Sequence, residues 1–184
     1  MQPLSLTTSR LRITWLELDD AAFIFRLLND PDWIRYIGDK SVTSLDDARA
    51  YLEGGPLNSY REHGFGLNRI ALVDSDEPIG ICGILSRESL PCPDLGFALL
   101  PEHRQQGYAL EAARAVLQHA SHYLALRHVA AILSPQNRAS ANLLRKLGFR
   151  YDKRYQQKSD NTELDSYAID LSAPQAPNMG KINP

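Results

Sequence analysis

The sequence has little of what would place it outside the ordinary class of globular proteins. Its two cysteines, Cys82 and Cys92, are too few for a disulfide framework, and no Cys/His cluster has the spacing of zinc ligands. No apolar run approaches the length of a membrane span, and residues 1–8 lack the charged segment and apolar core of a signal peptide. These absences favour a soluble cytoplasmic protein without a metal.

The chain also has no strong charge of either sign. Its formal net charge is −2, which argues against a general nucleic-acid binder. Its 184 residues, 43% of them hydrophobic, suit one domain with a substantial core. Nothing in the composition chooses between a monomer and a homodimer.

Hydrophobic periodicity predicts a single α/β domain over residues 1–171. The predicted strands are 10–18, 65–73, 79–86, 94–99, 129–133, 150–157 and 162–171. The predicted helices are 19–29, 33–37, 45–53, 108–126 and 140–147. Residues 54–56 (Gly-Gly-Pro) should interrupt the third helix, leaving 60–64 as a loop or frayed helix. The tail, 172–184, is rich in proline, has no core pattern and is expected to be flexible.

One loop of this pattern is suited to bind phosphate. Arg104-Gln105-Gln106-Gly107-Tyr108-Ala109 joins an apolar strand to the longest helix. The first N–H groups of a helix have no partner inside it, and they lie at the positive end of the helix dipole. Gly107 allows a phosphate to approach the backbone closely. An isolated match of this kind is more often a surface turn whose glycine serves local geometry.

A second motif lies one strand further along the chain. Its residues Asn137, Ser140, Leu144, Lys146, Gly148 and Phe149 fall in and around the last predicted helix. Together, the Arg-x-x-Gly-x-Ala loop and this helix resemble the GCN5-related N-acetyltransferases. Five segments are similar to the RimJ/RimL-like ribosomal-protein branch of that superfamily: 8–13 (Thr-Ser-Arg-Leu-Arg-Ile), 29–31 (Asn-Asp-Pro), 33–37 (Trp-Ile-Arg-Tyr-Ile), 78–80 (Pro-Ile-Gly) and 107–112 (Gly-Tyr-Ala-Leu-Glu-Ala).

The resemblance implies a mixed, mostly antiparallel sheet flanked by helices, in which two parallel strands, 94–99 and 129–133, splay apart. Acetyl-coenzyme A would lie in the opening, with pantetheine along the backbone of Phe97, Ala98 and Leu99. The N–H groups of Gln105, Gln106, Gly107, Tyr108 and Ala109 would bind the pyrophosphate, and Arg104 would either add charge or be solvated. Asn137 would hydrogen-bond pantetheine or the departing thiol region, and Ser140 would lie near the sulfur or cap its helix.

The implied reaction is direct acetyl transfer to an amine. Asp94, at the start of the splayed strand, is the candidate base, directly or through water, although a strand-initiating surface Asp would look the same. Glu111 is a weaker candidate that is expected to form an internal ion pair. Many superfamily members carry a Tyr acid where this chain has Leu144, which leaves Ser140, a water or free release of the thiolate.

The acceptor groove is expected between 33–61 and the final hairpin, with Trp33, Tyr36 and Tyr60 as candidate contacts. The acceptor could be a protein N-terminal amine or a small amine such as an amino acid, polyamine or antibiotic. The missing Tyr keeps open a different class, a non-catalytic coenzyme A-binding or sensory module.

Overall fold

The centre of the fold is a mixed sheet of eight strands, and the computed structural model describes it and its helices for residues 4–156 and 162–172. The strands are β1 (Ser5–Thr7), β2 (Leu11–Trp15), β3 (Leu67–Leu72), β4 (Pro78–Leu85), β5 (Asp94–Leu99), β6 (His128–Leu133), β7 (Arg150–Gln156) and β8 (Glu163–Asp170). Their order across the sheet is β1-β2-β3-β4-β5-β6-β8-β7. Only the β5–β6 pair is parallel among the described neighbours. The predicted mixed, mostly antiparallel sheet is confirmed.

Helices cover both faces of this sheet. They are α1 (Ala21–Leu28), α2 (Pro31–Tyr36), α3 (Leu45–Leu52), α4 (Asn58–His63), α5 (Tyr108–His122) and α6 (Arg138–Lys146). Buried side chains of α1, α2 and α3 form one apolar cluster, and those of α5 and α6 form a second. The predicted stripe of α5 is confirmed, because it consists of buried side chains: Ala112, Ala113, Val116, Leu117 and Ala120.

The parallel pair separates almost as soon as it forms. β5 and β6 are paired only at Asp94 and Ala130, where the Ala130 N–H donates to the carbonyl oxygen of Pro93 at 2.9 Å. Beyond this point, towards Leu99, the described residues show no further pairing between the two strands. The splayed pair expected from the sequence is therefore present, with the gap at the carboxyl end of β5.

Several predicted boundaries were wrong. β1 was not predicted, and residues 53–57 do not break the helical path: they form a π-helical turn that leads into α4. A π turn already interrupts the regular hydrogen-bond ladder, so Pro56, which lacks an N–H, is tolerated there. α5 ends at His122, four residues early, and α6 begins at Arg138, two residues early. The predicted tail beyond residue 172 lies outside the described residues.

Candidate functional site

The turn before α5 presents main-chain N–H groups to one side. Gln105 and Gly107 both have left-handed backbone conformations, with φ of +61° and +84°. Left-handed residues in a turn bring successive N–H groups to one side in a concave anion site, and here the turn ends at a helix N-terminus. A Cβ built on Gly107 would meet one atom, Nη2 of Arg10, at 3.4 Å. The space over Gly107 is therefore open to a ligand.

β5 presents main-chain groups to the gap beside it. The Leu100 N–H donates to the carbonyl oxygen of Ile79 at 2.9 Å. With the register of the two strands, this bond determines which residues of β5 are hydrogen-bonded to β4. Since antiparallel pairing uses alternate residues, Ala98 is bonded to β4, whereas Phe97 and Leu99 point their N–H and C=O groups towards the gap. The N–H and C=O of Phe97 and the N–H of Leu99 can therefore meet a ligand, whereas the C=O of Leu99 already accepts from Nε of Arg104. The expectation that a ligand pairs along all three residues is thus restricted to Phe97 and Leu99.

A cavity of about 720 Å³ joins this gap to the turn. It brings together eleven of the predicted site residues: Trp33, Tyr36, Phe97, Ala98, Leu99, Arg104, Gln105, Gly107, Ala109, Asn137 and Ser140. Sequence reasoning did not assign five polar members of its wall to the site, although Lys146 belongs to the second motif: Asp32, Gln136, Arg138, Asn142 and Lys146. The spacing of four between Arg138, Asn142 and Lys146, which places them on one face of α6, could have identified these three.

The predicted residues Gln106 and Tyr108 serve the loop itself. The side-chain amide of Gln106 donates to the main-chain carbonyl oxygen of Glu102 at 2.8 Å. The main-chain carbonyl oxygen of Gln106 accepts from Nη1 of Arg10 at 3.0 Å. The Arg10 guanidinium also lies 4.4 Å from the centre of the Tyr108 ring. These contacts fix the turn against the start of β2 and leave its N–H groups as the part that faces a ligand.

Glu111 locks the first turn of α5 to the same segment. Its carboxylate pairs with Nη2 of Arg10 at 2.6 Å and accepts from the Thr8 and Ser9 hydroxyls at 2.6 and 3.0 Å. Burial acts to raise the pKa of Glu111, but the hydrogen bonds from Thr8, Arg10 and Ser9 outweigh it, so the pKa is lowered. The expected internal ion pair of Glu111 is confirmed.

Asn137 caps α6, and Ser140 does not. Oδ1 of Asn137 accepts from the Ser140 N–H at 3.0 Å, the usual contact of an N-cap side chain. The reading of Ser140 as the cap is corrected, because the helix starts before it. Ser140 lines the cavity, and Leu144 is fully buried behind it. Gly148 ends the helix with φ of +94°, as predicted.

Arg104 is held by groups of the protein. Nε donates to the carbonyl oxygen of Leu99 at 3.0 Å, Nη1 pairs with Asp32 at 2.6 Å, and Nη2 pairs with Asp30. The cavity wall thus carries Arg104, Arg138 and Lys146 as cations and Asp32 as its one carboxylate among the described lining residues. This surplus of positive charge suits a polyanionic ligand.

A family model described as an acetyltransferase (GNAT) domain matches residues 10–150. This chain belongs to the GNAT acetyltransferase family. It is 33% identical over 153 residues to the protein YkkB of Bacillus subtilis, covering 80% of this chain and 86% of that protein. It also resembles the crystal structure of an acetyltransferase from Agrobacterium tumefaciens, with 27% identity, a TM-score of 0.78 and coverage of 92% and 95% of the two chains.

The cavity of this acetyltransferase fits acetyl-coenzyme A, the acetyl donor of the fold. Its open N–H turn, its free strand edge and its excess of cations match a phosphate-bearing, extended and amide-rich molecule. The microcin C7 self-immunity acetyltransferase MccE, solved with acetyl-CoA and AMP, shares the fold at 12% identity and a TM-score of 0.76, with coverage of 89% of this chain and 94% of that chain.

Asp94 of this acetyltransferase is not among the residues that line the cavity. Asp94 is 2% exposed at the start of β5, and its two carboxylate oxygens accept from Nε of Arg87 at 2.9 and 3.1 Å. Burial raises the pKa of the Asp94 carboxyl, and Arg87 offsets part of that rise. Asp94 is therefore a core carboxylate in an ion pair.

The three predicted acceptor contacts separate into two groups. Trp33 and Tyr36, both on α2, line the cavity, and the indole N–H of Trp33 is buried with no hydrogen-bond partner among the described residues. Tyr60 lies in the core instead: its ring stacks on Trp15 at 4.4 Å, and its hydroxyl donates to the Leu67 carbonyl and accepts from the Leu16 N–H.

Cys82 is fully buried in β4, as expected of a core residue, and burial raises the pKa of its thiol. Within 4–156 and 162–172, no group of three His, Cys, Asp or Glu side chains is arranged to hold a metal ion. No helix in the same ranges is long and apolar enough to cross a membrane.

Proposed function

We propose that this acetyltransferase binds acetyl-coenzyme A in the cavity and transfers the acetyl group directly to a primary amine. The observation that carries the proposal is the meeting, in one cavity, of the free edge of β5 and the left-handed turn before α5. Either feature alone has ordinary structural explanations. Together they offer one surface for an amide chain and another for a pyrophosphate within a single cavity.

The residues take distinct roles in this proposal. The N–H and C=O of Phe97 pair with pantetheine, and the N–H groups from Gln105 to Ala109 bind the pyrophosphate. The carbonyl oxygen of Leu99 is already occupied by Arg104, so its N–H is the group left to stabilise negative charge that develops on the acyl oxygen. Ser140 is placed to interact with the sulfur or its proton.

The thioester supplies the acetyl group, and the chain must handle the proton of the amine. Asp94 is the proposed base, acting through water because it lies outside the cavity lining. Its raised pKa is favourable for this role, since a base works best when its pKa lies near the operating pH.

The acceptor is proposed to be a protein N-terminal amine, as in the RimJ/RimL-like branch, with small amines as the second possibility. The supporting residues fall at the site: Asp30 and Pro31 of the Asn-Asp-Pro segment start α2, and that helix presents Trp33 and Tyr36 to the cavity. Their aromatic surfaces suit an acceptor with an apolar body beside its amine.

Two measurements test the proposal. Calorimetry with acetyl-coenzyme A should show binding, and thiol release should be detected with at least one amine among peptides with free N-termini, spermidine, amino acids and aminoglycosides. Absence of binding would overturn the proposed use of the cavity. Tight binding with no thiol release from any of these amines would favour the non-catalytic module.

A further inference from the structure

An ion-pair cluster, of which only Asp30 is buried, joins α2 to the start of the phosphate-binding turn. It consists of Arg104, Asp30 and Asp32, and we call it the Arg104 clamp. The Arg104 guanidinium donates to both carboxylates and to the carbonyl oxygen of Leu99 at the end of β5. One side chain therefore contacts the sheet, the turn and α2 at once.

The clamp acts on the part of α2 that faces the cavity. Oδ1 of Asp30 accepts from Nη2 of Arg104. The same oxygen accepts from the main-chain N–H groups of Asp32 and Trp33, and both of these bonds are 3.2 Å long. Asp30 is 6% exposed, so its charge is compensated chiefly by Arg104. The orientation of α2, and with it the placement of Trp33 and Tyr36, depends on this contact.

We propose that Arg104 is a positioning residue that holds the acceptor wall, rather than a ligand of the coenzyme phosphates. Three of its five N–H groups are committed to protein oxygens in fixed directions. A planar guanidinium matches this arrangement of carboxylate and carbonyl acceptors, which an ammonium could not reproduce. The proposal rests on the assignment of the cavity to coenzyme A, and it assigns specificity for the amine to the clamp.

If Arg104 instead binds a phosphate of the coenzyme, one pair of substitutions should have a different effect on the affinity for coenzyme A. Asp32→Asn combined with Arg104→Gln removes one charge of each sign, so the net charge of the cavity is unchanged. Asp30 is kept because it caps α2. If Arg104 only positions α2, the double variant binds coenzyme A as tightly as the wild type. If Arg104 contacts phosphate, the double variant loses about tenfold or more in affinity.

Acceptor kinetics supply the second measurement. With the amine that the wild type acetylates fastest, the double variant should show a KM raised about tenfold, as expected if α2 is correctly placed a tenth of the time. The kcat should change much less, because the residues around Leu99 are retained. An unchanged KM would overturn the clamp's role in acceptor binding.

Fluorescence tests the placement of α2 without any activity. Trp15 and Trp33 are the only tryptophans, so a Trp15→Phe background reports on Trp33 alone. Trp33 is 5% exposed, and acrylamide should quench it much more in the double variant than in its parent. Equal quenching would overturn the clamp.

A matched control removes another surface ion pair. Arg26 and Glu102 form a pair outside the cavity lining, and Arg26→Gln with Glu102→Gln should leave quenching, KM and coenzyme affinity unchanged. Should the clamp variant not fold, Asp32→Asn alone, at a half-exposed carboxylate, gives a smaller effect of the same kind. Wild-type protein that fails to bind coenzyme A would overturn the proposed function, while the quenching comparison would still decide the clamp.

Discussion

Replacement of Gly107 by Glu tests the phosphate site most directly, because the structure separates its three effects. Gly107 has φ of +84°, and any other L-residue there costs about 1–2 kcal/mol of folding free energy. The only protein atom near a new Cβ is Nη2 of Arg10, at 3.4 Å, so the protein itself has room for a side chain. The remaining effects, bulk and charge, fall on the ligand.

The matched variant Gly107→Gln isolates the charge. Gln and Glu have the same shape and the same backbone strain, and they differ by one negative charge at the turn. Two unit charges about 4 Å apart repel by about 4 kcal/mol at an effective dielectric constant of about 20. Each 1.4 kcal/mol changes a dissociation constant about tenfold, so the Glu variant should bind coenzyme A about 100- to 1,000-fold more weakly than the Gln variant.

Calorimetry with coenzyme A provides the measurement, and thermal unfolding provides the control. Both variants should melt a few degrees below the wild type, by equal amounts, since about 1 kcal/mol shifts the melting temperature of a chain of this size by about 2–4 °C. If the Glu and Gln variants bind coenzyme A equally well, no phosphate lies at Gly107. Wild-type affinity in both would remove the turn from the site.

Three further changes probe the surrounding residues. Asp94→Asn should lower the acetylation rate most at low pH, where unprotonated amine is scarce, and an unaltered pH–rate profile would remove Asp94 from the mechanism. Glu111→Gln should destabilise the protein at neutral pH, as measured by urea unfolding. Because the pKa of Glu111 is lowered in the folded state, its carboxylate stabilises the fold above its ordinary pKa, and this stabilisation is lost as the pH falls through the folded-state pKa. The unfolding free energies of the variant and the wild type should therefore converge in acid. Asn137→Ala should cost about 1 kcal/mol of unfolding free energy through loss of the α6 cap. Asn142→Ala, on the same helix but not a cap, is its control in thermal unfolding, and equal losses would contradict the capping role.

The parts of the fold that sequence could predict are those with long, local patterns. β5 was predicted with its observed limits because it is an apolar run bounded by turn residues. The buried stripe of α5 was predicted because its apolar residues recur at helical spacing between polar ones. β1 has three residues, too few for an alternating pattern to be visible. The helical path through residues 53–57 depends on a π turn, for which Gly-Gly-Pro is no sequence signal.

The candidate site could be predicted where a motif reports a backbone conformation, as at Gly107. It could not be predicted where the geometry depends on distant partners. Arg104 pairs with Asp32 and Asp30, which precede it by 72 and 74 residues, so no local pattern links them. The loop motif alone therefore suggests a free cation beside the phosphates, and only the fold shows that this cation is bound to α2.

The position of Asp94 restricts how it could act as the base. A strand rises about 3.3 Å per residue, which places Asp94 about 10 Å along β5 from Phe97, the nearest cavity-lining residue of that strand. Both of its oxygens accept from Nε of Arg87, which uses only part of their acceptor capacity, so a proton from the cavity would reach the carboxylate through water. Arg87 is 44% exposed whereas Asp94 is 2% exposed, so loss of Arg87 from the pair would leave a buried charge without a partner. A catalytic role for Asp94 therefore has to be compatible with this ion pair, and the acidic side of the pH–rate profile is where the titration of Asp94 would be visible.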